Sequence, residues 1–366
     1  MRKGDRKMTE AEWMEIGYSN RLIESTKEDG MTYAEAFRKW FCMKQSAIRG
    51  QSLDRIEVTY NRYCRDSDFA QKSVAVMTDA DIIKFLTACI SSTGNMTYKE
   101  LARLMQIVRA PLVYLRDLEQ CAVPLFDWDK IKRNLPTNTL ESSRKYEFAV
   151  KQEDIARLFR LAVDGRIYPE KENACLLLCM NFYMGLRIGE LAALTFQDFD
   201  FERNVVRVHK TETKYFARDE NGERLGTLTY RVADNCKTVY SVREVPIMQE
   251  AKYLYDRIRE NHKERGYDSP YLCYDGVDVV RVTSLDHTLR RLLRLCEIPQ
   301  FNSHAIRKTF ATRLHFHGVP TRVISDLLGH SEIATTEHNY ILNYRDNYED
   351  AYRHMNNALN YFVSEK

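Results

Sequence analysis

Residues 303–318 read SHAIRKTFATRLHFHG, and this stretch decides how the second half of the chain folds. Ile306, Phe310 and Leu314 recur at every fourth position, which predicts the buried face of an amphipathic helix. Ser303 stands at the start of that pattern and is a residue type that caps helices. The stretch therefore predicts a helix that buries one side against the rest of its domain.

Another side of this predicted helix carries cationic side chains. His304 and Arg307 are three residues apart, so they share a helix face close to its first turn. Two such donors near a helix start can together hold a phosphate group. The isolated His-x-x-Arg spacing is also common on a solvated basic face, so a phosphate site needs support from elsewhere in the chain.

The next stretch, DLLGHSEIATTEHNYI at 326–341, predicts a tight turn between two helices. Gly329 is suited to end the first helix, and Ser331 to start the second. His330 would then lie in the turn, and Tyr340 follows ten residues later. The chain holds 22 tyrosines, and most tyrosines pack their ring and leave the hydroxyl at solvent, so Tyr340 alone indicates little.

Upstream, GLRIGELAALTFQDFDF at 185–201 places an arginine between two helices. The apolar helix predicted at 173–184 ends at a glycine, and Arg187 stands where the next helix begins. A helix amino terminus favours anions, so an arginine anchored there can help to bind one. The alternative is a surface ion pair with Glu190, three residues further along.

Residues 199–247 alternate β-branched or aromatic side chains with charged ones, which predicts a small antiparallel sheet. Within them, NCKTVYSVREVPI places Lys237 in a turn just before a strand. A lysine at a hairpin tip is usually solvent-exposed and inert. Lys210 and Lys214 lie in the same β region and are the other candidates for a functional lysine.

The composition of the chain argues against several classes of protein. The 55 Lys and Arg residues against 52 Asp and Glu residues give a net charge of only +3, far from the basicity of a nonspecific nucleic-acid binder. No apolar run reaches the ~20 residues of a membrane-spanning helix, and the charged first ten residues argue against a secretory signal. Nine scattered cysteines without a CxxC pair suit a reducing cytoplasm, where we expect the protein to be located.

The order of elements predicts a mainly α-helical protein with a small antiparallel sheet in an α+β second domain. A chain of 366 residues is longer than one hydrophobic core usually accommodates, so its length favours two domains. In the first, Thr32, Thr78 and Thr97 are predicted helix N-caps. The predicted organisation is a short arm at 1–30, a helical domain at 31–120, a linker at 121–150, a second domain at 151–345 and a tail at 346–366.

Taken in order, the pieces Arg…Lys…His-x-x-Arg…His…Tyr resemble the tyrosine recombinase, or phage integrase, family. The resemblance covers residues 173–345 and extends more loosely to 31–120, which looks like that family's core-binding domain. It implies catalytic roles for Arg187, Lys237, His304, Arg307, His330 and the nucleophile Tyr340, with Glu190 as a supporting acid.

The resemblance also implies an activity. The family cleaves DNA at specific sites through a 3′-phosphotyrosyl link, releases a 5′-hydroxyl and rejoins strands without metal or ATP. It implies two domains that form a clamp around double-stranded DNA, and a homo-tetramer on paired recombination sites in which the tail docks on a neighbouring protomer. An excisionase or a host DNA-bending protein would be an accessory partner, and no membrane is involved.

Other functions stay open at the level of sequence. A type IB topoisomerase shares the chemistry but relaxes supercoils, a chromosome-dimer resolving recombinase shares the mechanism, and a non-enzymatic DNA-binding regulator would need no nucleophile. A metal enzyme is disfavoured, because His315 and His317 alternate on their predicted helix and no Cys or carboxylate cluster joins them.

Overall fold

A computed structural model of the protein describes residues 30–119, 121–141, 149–164, 168–233, 242–276 and 282–337. These residues divide into two compact units. The first comprises the residues up to 144 together with 215–228, and the second comprises the remainder. None of the helices within the described ranges is long and apolar enough to cross a membrane.

The first unit is helical. Thr32, Thr78 and Thr97 each accept a hydrogen bond from the backbone N–H three residues on, as predicted for helix N-caps. Aromatic side chains such as Tyr33 and Trp40 are buried in its core. The helices of this unit are α1 (Tyr33–Ala47), α2 (Gly50–Tyr63), α3 (Asp68–Gln71), α4 (Asp79–Thr93), α5 (Tyr98–Asp117) and α6 (Trp128–Arg133).

The core of this unit extends into the segment that the sequence predicts as a linker. Val123, Ile131, Leu135 and Leu140 are all buried and belong to the same hydrophobic cluster as the preceding helices. The prolines and polar turns of this segment separate short packed pieces, so it shows no regular hydrophobic period although it contributes to a core.

The second unit is built around one apolar helix. Nearly every residue of α8 is buried, and it packs against α7, α10, α11 and α12. A helix buried on all sides shows no polar face, as its sequence predicted. The helices of this unit are α7 (Gln152–Asp164), α8 (Glu172–Met184), α9 (Ile188–Ala192), α10 (Gln249–Arg265), α11 (Val282–Leu295), α12 (Ser303–Phe316), α13 (Thr321–Leu328) and α14 (Ile333–Thr336).

Two small sheets accompany these helices. Their strands are β1 (Phe199–Asp200), β2 (Val205–Val208), β3 (Thr211–Arg218), β4 (Arg224–Ala233) and β5 (Arg243–Pro246). Strand β2 pairs antiparallel with β1 and with β5, and β3 pairs with β4 in a second sheet. The predicted fold class, mainly α-helical with a small antiparallel sheet, is therefore confirmed, and the described strands form two sheets rather than one.

The distal part of the β3–β4 hairpin, residues 215–228, clusters with the first unit. There the Arg218 guanidinium lies 2.7 Å from carboxylate oxygens of both Asp54 and Glu57, and the Arg218 side chain is only 2% exposed. Arg224 forms a further ion pair with Glu57. Charged side chains thus fasten residues 215–228 to α2 within the first unit.

Two predicted helix starts differ from the observed ones. Asn302, rather than Ser303, caps α12, since its side-chain oxygen accepts from the N–H of Ala305 at 3.3 Å. Both residue types cap helices, and the asparagine stands one position earlier. Helix α14 begins at Ile333 rather than at Ser331, and Glu332 stands at its N-cap position.

Candidate active site

The turn that carries Arg187 is rigidly built at the end of α8. Gly185 ends the helix with φ of 62°, and a Cβ at this position would overlap the Phe310 ring. The buried Asn181 side chain accepts from the N–H of Leu186 at 2.7 Å and donates to its carbonyl at 3.1 Å. Glycine is therefore required sterically, and the asparagine fixes the backbone immediately before Arg187.

Arg187 stands at the amino terminus of α9. Its Nη1 donates to Glu190 Oε1 at 2.8 Å, and its Nη2 donates to the Gly329 carbonyl at 3.2 Å. The side chain is 42% exposed, whereas that of Glu190 is 3% exposed. The predicted ion pair with Glu190 thus exists, but it is not a pair between two surface residues. The guanidinium of Arg187 is accessible, and the carboxylate that holds it is buried.

Arg307 is the largest fully buried side chain among the described residues, at 1% exposure. Its Nη1 donates to the Gly185 carbonyl at 2.9 Å. Its Nη2 donates to the Leu328 carbonyl and to His330 Nε2, the latter at 3.0 Å. Arg307 therefore joins the Arg187 turn to the turn that carries His330.

His330 is held in one neutral tautomer. Because a guanidinium only donates, His330 Nε2 must accept from Arg307, which leaves the proton on Nδ1. Nδ1 then donates to Thr336 Oγ1, 2.8 Å away. Burial, followed by the charges of nearby arginines, lowers the pKa of His330 to about 4. The ring is thus uncharged at neutral pH.

His304 lies in the first turn of α12 on the accessible side of this group. The protein packed around its ring lowers its pKa, and the charges of Arg307, Arg187 and Lys308 lower it further. His304 and Arg307 are three residues apart on α12, so they share a helix face, as the His-x-x-Arg spacing predicted.

A third arginine, Arg243, belongs to the same group and was not singled out from the sequence. Strand β5 alternates buried and exposed residues, and Arg243 lies on the buried side with Val245. Its Nη2 donates to Glu190 Oε2 at 2.8 Å, and its Nε donates to the Leu327 carbonyl at 2.6 Å. A charged residue on the inward face of a strand is the signal that could have identified it.

The three arginines meet at the carboxyl end of α13. The consecutive carbonyls of residues 327–329 accept hydrogen bonds from Arg243, Arg307 and Arg187, respectively. The last carbonyls of a helix have no partner within it and carry partial negative charge, so cations are stabilised there. One helix end thus sets the positions of all three guanidiniums.

The charge of this group is unbalanced. Burial raises the pKa of Glu190, but Arg243, Arg187 and Arg307 outweigh it, so the pKa is lowered overall and the carboxylate is ionised. Among the described residues, three arginines against this one carboxylate give a formal charge of +2. A cluster of this charge, largely buried but with Arg187 accessible, is suited to bind an anion with several oxygens, such as a phosphodiester.

The two alternative lysines of the β region are already engaged. Lys210 Nζ lies 2.9 Å from Asp198 Oδ2 and donates to Thr195 Oγ1. Lys214 Nζ donates to Thr283 Oγ1 at 3.3 Å. Lys210 is therefore held by a carboxylate and a hydroxyl, whereas Lys214 is held by a hydroxyl.

Two predicted site residues, Lys237 and Tyr340, lie outside the described residues, as do the predicted tail and nearly all of the predicted arm. Their roles stay predictions. Thr336, which bonds His330, is four residues before Tyr340 in the sequence. Over the described ranges, no three His, Cys, Asp or Glu side chains are grouped so that they could hold a metal ion.

Comparison with known proteins identifies relatives of this architecture. The chain is 24% identical over 359 residues to a tyrosine recombinase XerC-like protein of Caldanaerobacter subterraneus subsp. tengcongensis, covering 90% of this chain and 85% of the relative. It is 25% identical over 202 residues to the transposase from transposon Tn916 of Enterococcus faecalis, covering 52% of this chain and 46% of the transposase.

Among solved structures, the Tn1549 transposon integrase in complex with transposon right end DNA has the same fold. Its TM-score is 0.64 at 18% sequence identity, and the match covers 90% of this chain and 100% of the integrase fragment in that structure. The model of the phage integrase family matches residues 150–346, more than half of the chain. Since that match includes every element that carries the arginine and histidine group, the chain belongs to the phage integrase family.

Proposed function

We propose that this protein cleaves and rejoins DNA at specific sites as the recombinase of a mobile element. The observation that carries the proposal is the group of Arg187, Arg307 and neutral His330 on one helix end, in a chain of the phage integrase family. Its recombinase and transposase relatives support DNA recombination over relaxation of supercoils by a type IB topoisomerase.

The chemistry follows from charge. Attack on a phosphodiester builds negative charge on the non-bridging oxygens, which two guanidiniums can stabilise by paired hydrogen bonds. Tyr340 is the proposed nucleophile; a phenol of pKa ~10 needs a cationic environment to react as phenolate. Lys237 is the proposed general acid that protonates the leaving 5′-oxygen. The product is a 3′-phosphotyrosyl link, which keeps the energy of the broken bond for rejoining.

The proposed partner is double-stranded DNA that carries recombination sites. The complexes of the Tn1549 integrase with transposon end and circular intermediate DNA support this. A clamp of two domains around the duplex, a homo-tetramer on paired sites, a docking role for the tail and help from an excisionase or DNA-bending protein are finer proposals that the family resemblance suggests. Affinity would come mainly from phosphate contacts and would fall with salt.

Covalent capture tests the function directly. We expect the purified protein to form a covalent adduct on a nicked suicide substrate in excess EDTA and without nucleotide, because the arginines supply the charge that a metal would otherwise supply. A denaturing gel separates the adduct from free DNA, and a substrate of scrambled sequence is the control. Loss of the adduct in EDTA, with recovery on adding a divalent ion, would contradict the mechanism.

A plasmid relaxation assay distinguishes the proposed recombinase from the alternative function, that of a type IB topoisomerase. A type IB topoisomerase would relax a supercoiled plasmid that carries no recombination site. The proposed recombinase should act on a plasmid only when its site is present, and paired sites should yield recombinant products.

Thr336→Val should lower the rate of single-turnover cleavage roughly tenfold, the equivalent of about 1.4 kcal/mol. The Thr336 hydroxyl can accept from Nδ1–H of His330 or donate to an unprotonated Nδ1, so it supports both tautomers. When a phosphate oxygen replaces Arg307 as the partner of His330 Nε2, the Nε2–H can donate to that oxygen. Valine keeps the shape of the threonine side chain but has no hydroxyl to bond Nδ1 of His330.

Thr336→Ser is the matched control and should restore most of the rate, since it keeps the hydroxyl. Half-site binding should be unchanged in both variants. A valine variant that cleaves as fast as the unchanged protein would show that the hydroxyl does not support His330 during cleavage.

A further inference from the structure

We propose that Arg243 is a positioning residue for DNA cleavage: it fixes Glu190 and the end of α13 in one arrangement, and thereby sets where Arg187 and His330 stand. This inference rests on the proposed function. Arg243 is outside the six residues and the supporting acid to which the family resemblance gives roles.

The contacts of Arg243 connect both halves of the candidate site. One end of its guanidinium bonds Glu190, through Nη1 at 3.3 Å and Nη2 at 2.8 Å. The Nε on its other edge bonds the Leu327 carbonyl at 2.6 Å. Both partners lead to the site: Glu190 bonds Arg187, and residue 327 is three before His330 in the sequence.

The Glu190 carboxylate is shared between two arginines. Oε1 accepts from Arg187 Nη1 and from Arg243 Nη1, while Oε2 accepts from Arg243 Nη2 and from the backbone N–H of Arg187. With each oxygen held twice, the carboxylate has one orientation, and so has the guanidinium of Arg187 that bonds it. Removing Arg243 releases one side of Glu190 and lets Arg187 turn with it.

The position of the carboxyl end of α13 also depends on Arg243. The carbonyls of residues 327–329 are fixed by one arginine each, and His330 follows directly. Without the bond from Arg243 Nε, the first of these carbonyls loses the donor that ties it to strand β5. A displacement of about 1 Å at reacting groups can lower a rate roughly 10²-fold, so a small shift here matters.

The geometry also requires arginine rather than a cation in general. Lysine has a single ammonium group and cannot span the carboxylate and the Leu327 carbonyl with the fixed fork of a guanidinium. Arg243→Lys keeps the charge beside Glu190 and loses the two-sided connection, which makes it the sharper variant. Arg243→Met removes both.

The matched control is Arg203→Met. Arg203 also pairs with a glutamate of β5, Glu244, through two bonds of 2.8 Å, but both side chains are on the exposed face. Arg203 itself lies between β1 and β2. The control therefore removes an arginine–glutamate pair that involves the same strand, without touching the candidate site.

The experiment measures single-turnover cleavage of a suicide substrate, half-site binding and thermal unfolding for the full-length protein and its variants. We expect cleavage to fall roughly 10²-fold in Arg243→Met and roughly tenfold in Arg243→Lys. Half-site binding should stay within about threefold, because other phosphate contacts remain. Arg203→Met should cleave as the unchanged protein does.

The pH profile separates positioning from mere stability. Arg243 is the strongest of the charges that lower the pKa of Glu190, and burial opposes them. In Arg243→Met the pKa of Glu190 should rise, so its carboxylate becomes protonated as pH falls and releases Arg187. The deficit in cleavage should therefore grow as the pH is lowered. A lesser folded fraction alone would follow the melting curve instead.

The outcomes are distinct. If the unchanged protein forms no adduct, the proposed function fails. If it does, and both Arg243 variants cleave like Arg203→Met, the positioning role is overturned. A loss that follows only the folded fraction, or failure of both variants to fold, would likewise overturn it by assigning Arg243 to stability alone.

Discussion

Tyr340→Phe is expected to form no covalent adduct with a nicked suicide substrate, while it binds a half-site as the unchanged protein does. The substitution removes one hydroxyl oxygen, which is the atom that attacks phosphorus in the proposed mechanism. The ring, which is most of the side chain's packing surface, is kept. The effect should therefore be complete on cleavage and small on thermal unfolding.

The neighbouring tyrosines provide matched controls. Tyr344 and Tyr348 follow Tyr340 at steps of four in the sequence. Tyr344→Phe and Tyr348→Phe should still form the adduct, since only one hydroxyl can be the nucleophile. If Tyr340→Phe keeps the adduct and Tyr344→Phe loses it, the nucleophile is Tyr344. Peptide mapping of the adduct would identify the tyrosine independently.

Local features of the fold could be predicted from the sequence because their cause is local. Thr32, Thr78 and Thr97 cap helices because a hydroxyl reaches the N–H three residues on, whatever packs around it. Gly185 ends the apolar helix α8 because only glycine enters the left-handed region freely. His304 and Arg307 share a face because helix geometry requires it.

Features that depend on distant partners could not be predicted. Arg218 of the hairpin pairs with Asp54, 164 positions earlier, and no local pattern announces that contact. The packing of residues 121–140 has the same character, since irregular spacing hides an apolar contribution to a core. Arg243 could not be identified from the sequence for a related reason. Its partners, Glu190 and the Leu327 carbonyl, come from two other segments of the chain.

Arg187→Ala and Arg307→Ala should each lower single-turnover cleavage by on the order of 10²–10³, as expected when a donor to a developing oxyanion is lost. The structure also predicts that the two variants differ in thermal stability. Arg187 is 42% exposed, so its loss should change thermal unfolding little. Arg307 is fully buried and bonds the Gly185 and Leu328 carbonyls, so its loss should also lower the melting temperature.

Arg307→Lys separates the two roles of this residue. Lysine keeps the positive charge in the buried site and reduces the loss of stability, but it cannot bond Gly185, Leu328 and His330 together. Cleavage should therefore stay low while the melting temperature partly recovers. Binding to a half-site should change far less than cleavage in all three variants, because many other phosphate contacts hold the DNA. Equal losses of binding and cleavage would instead make both arginines general DNA contacts, and the phosphate would then have to be activated by other residues.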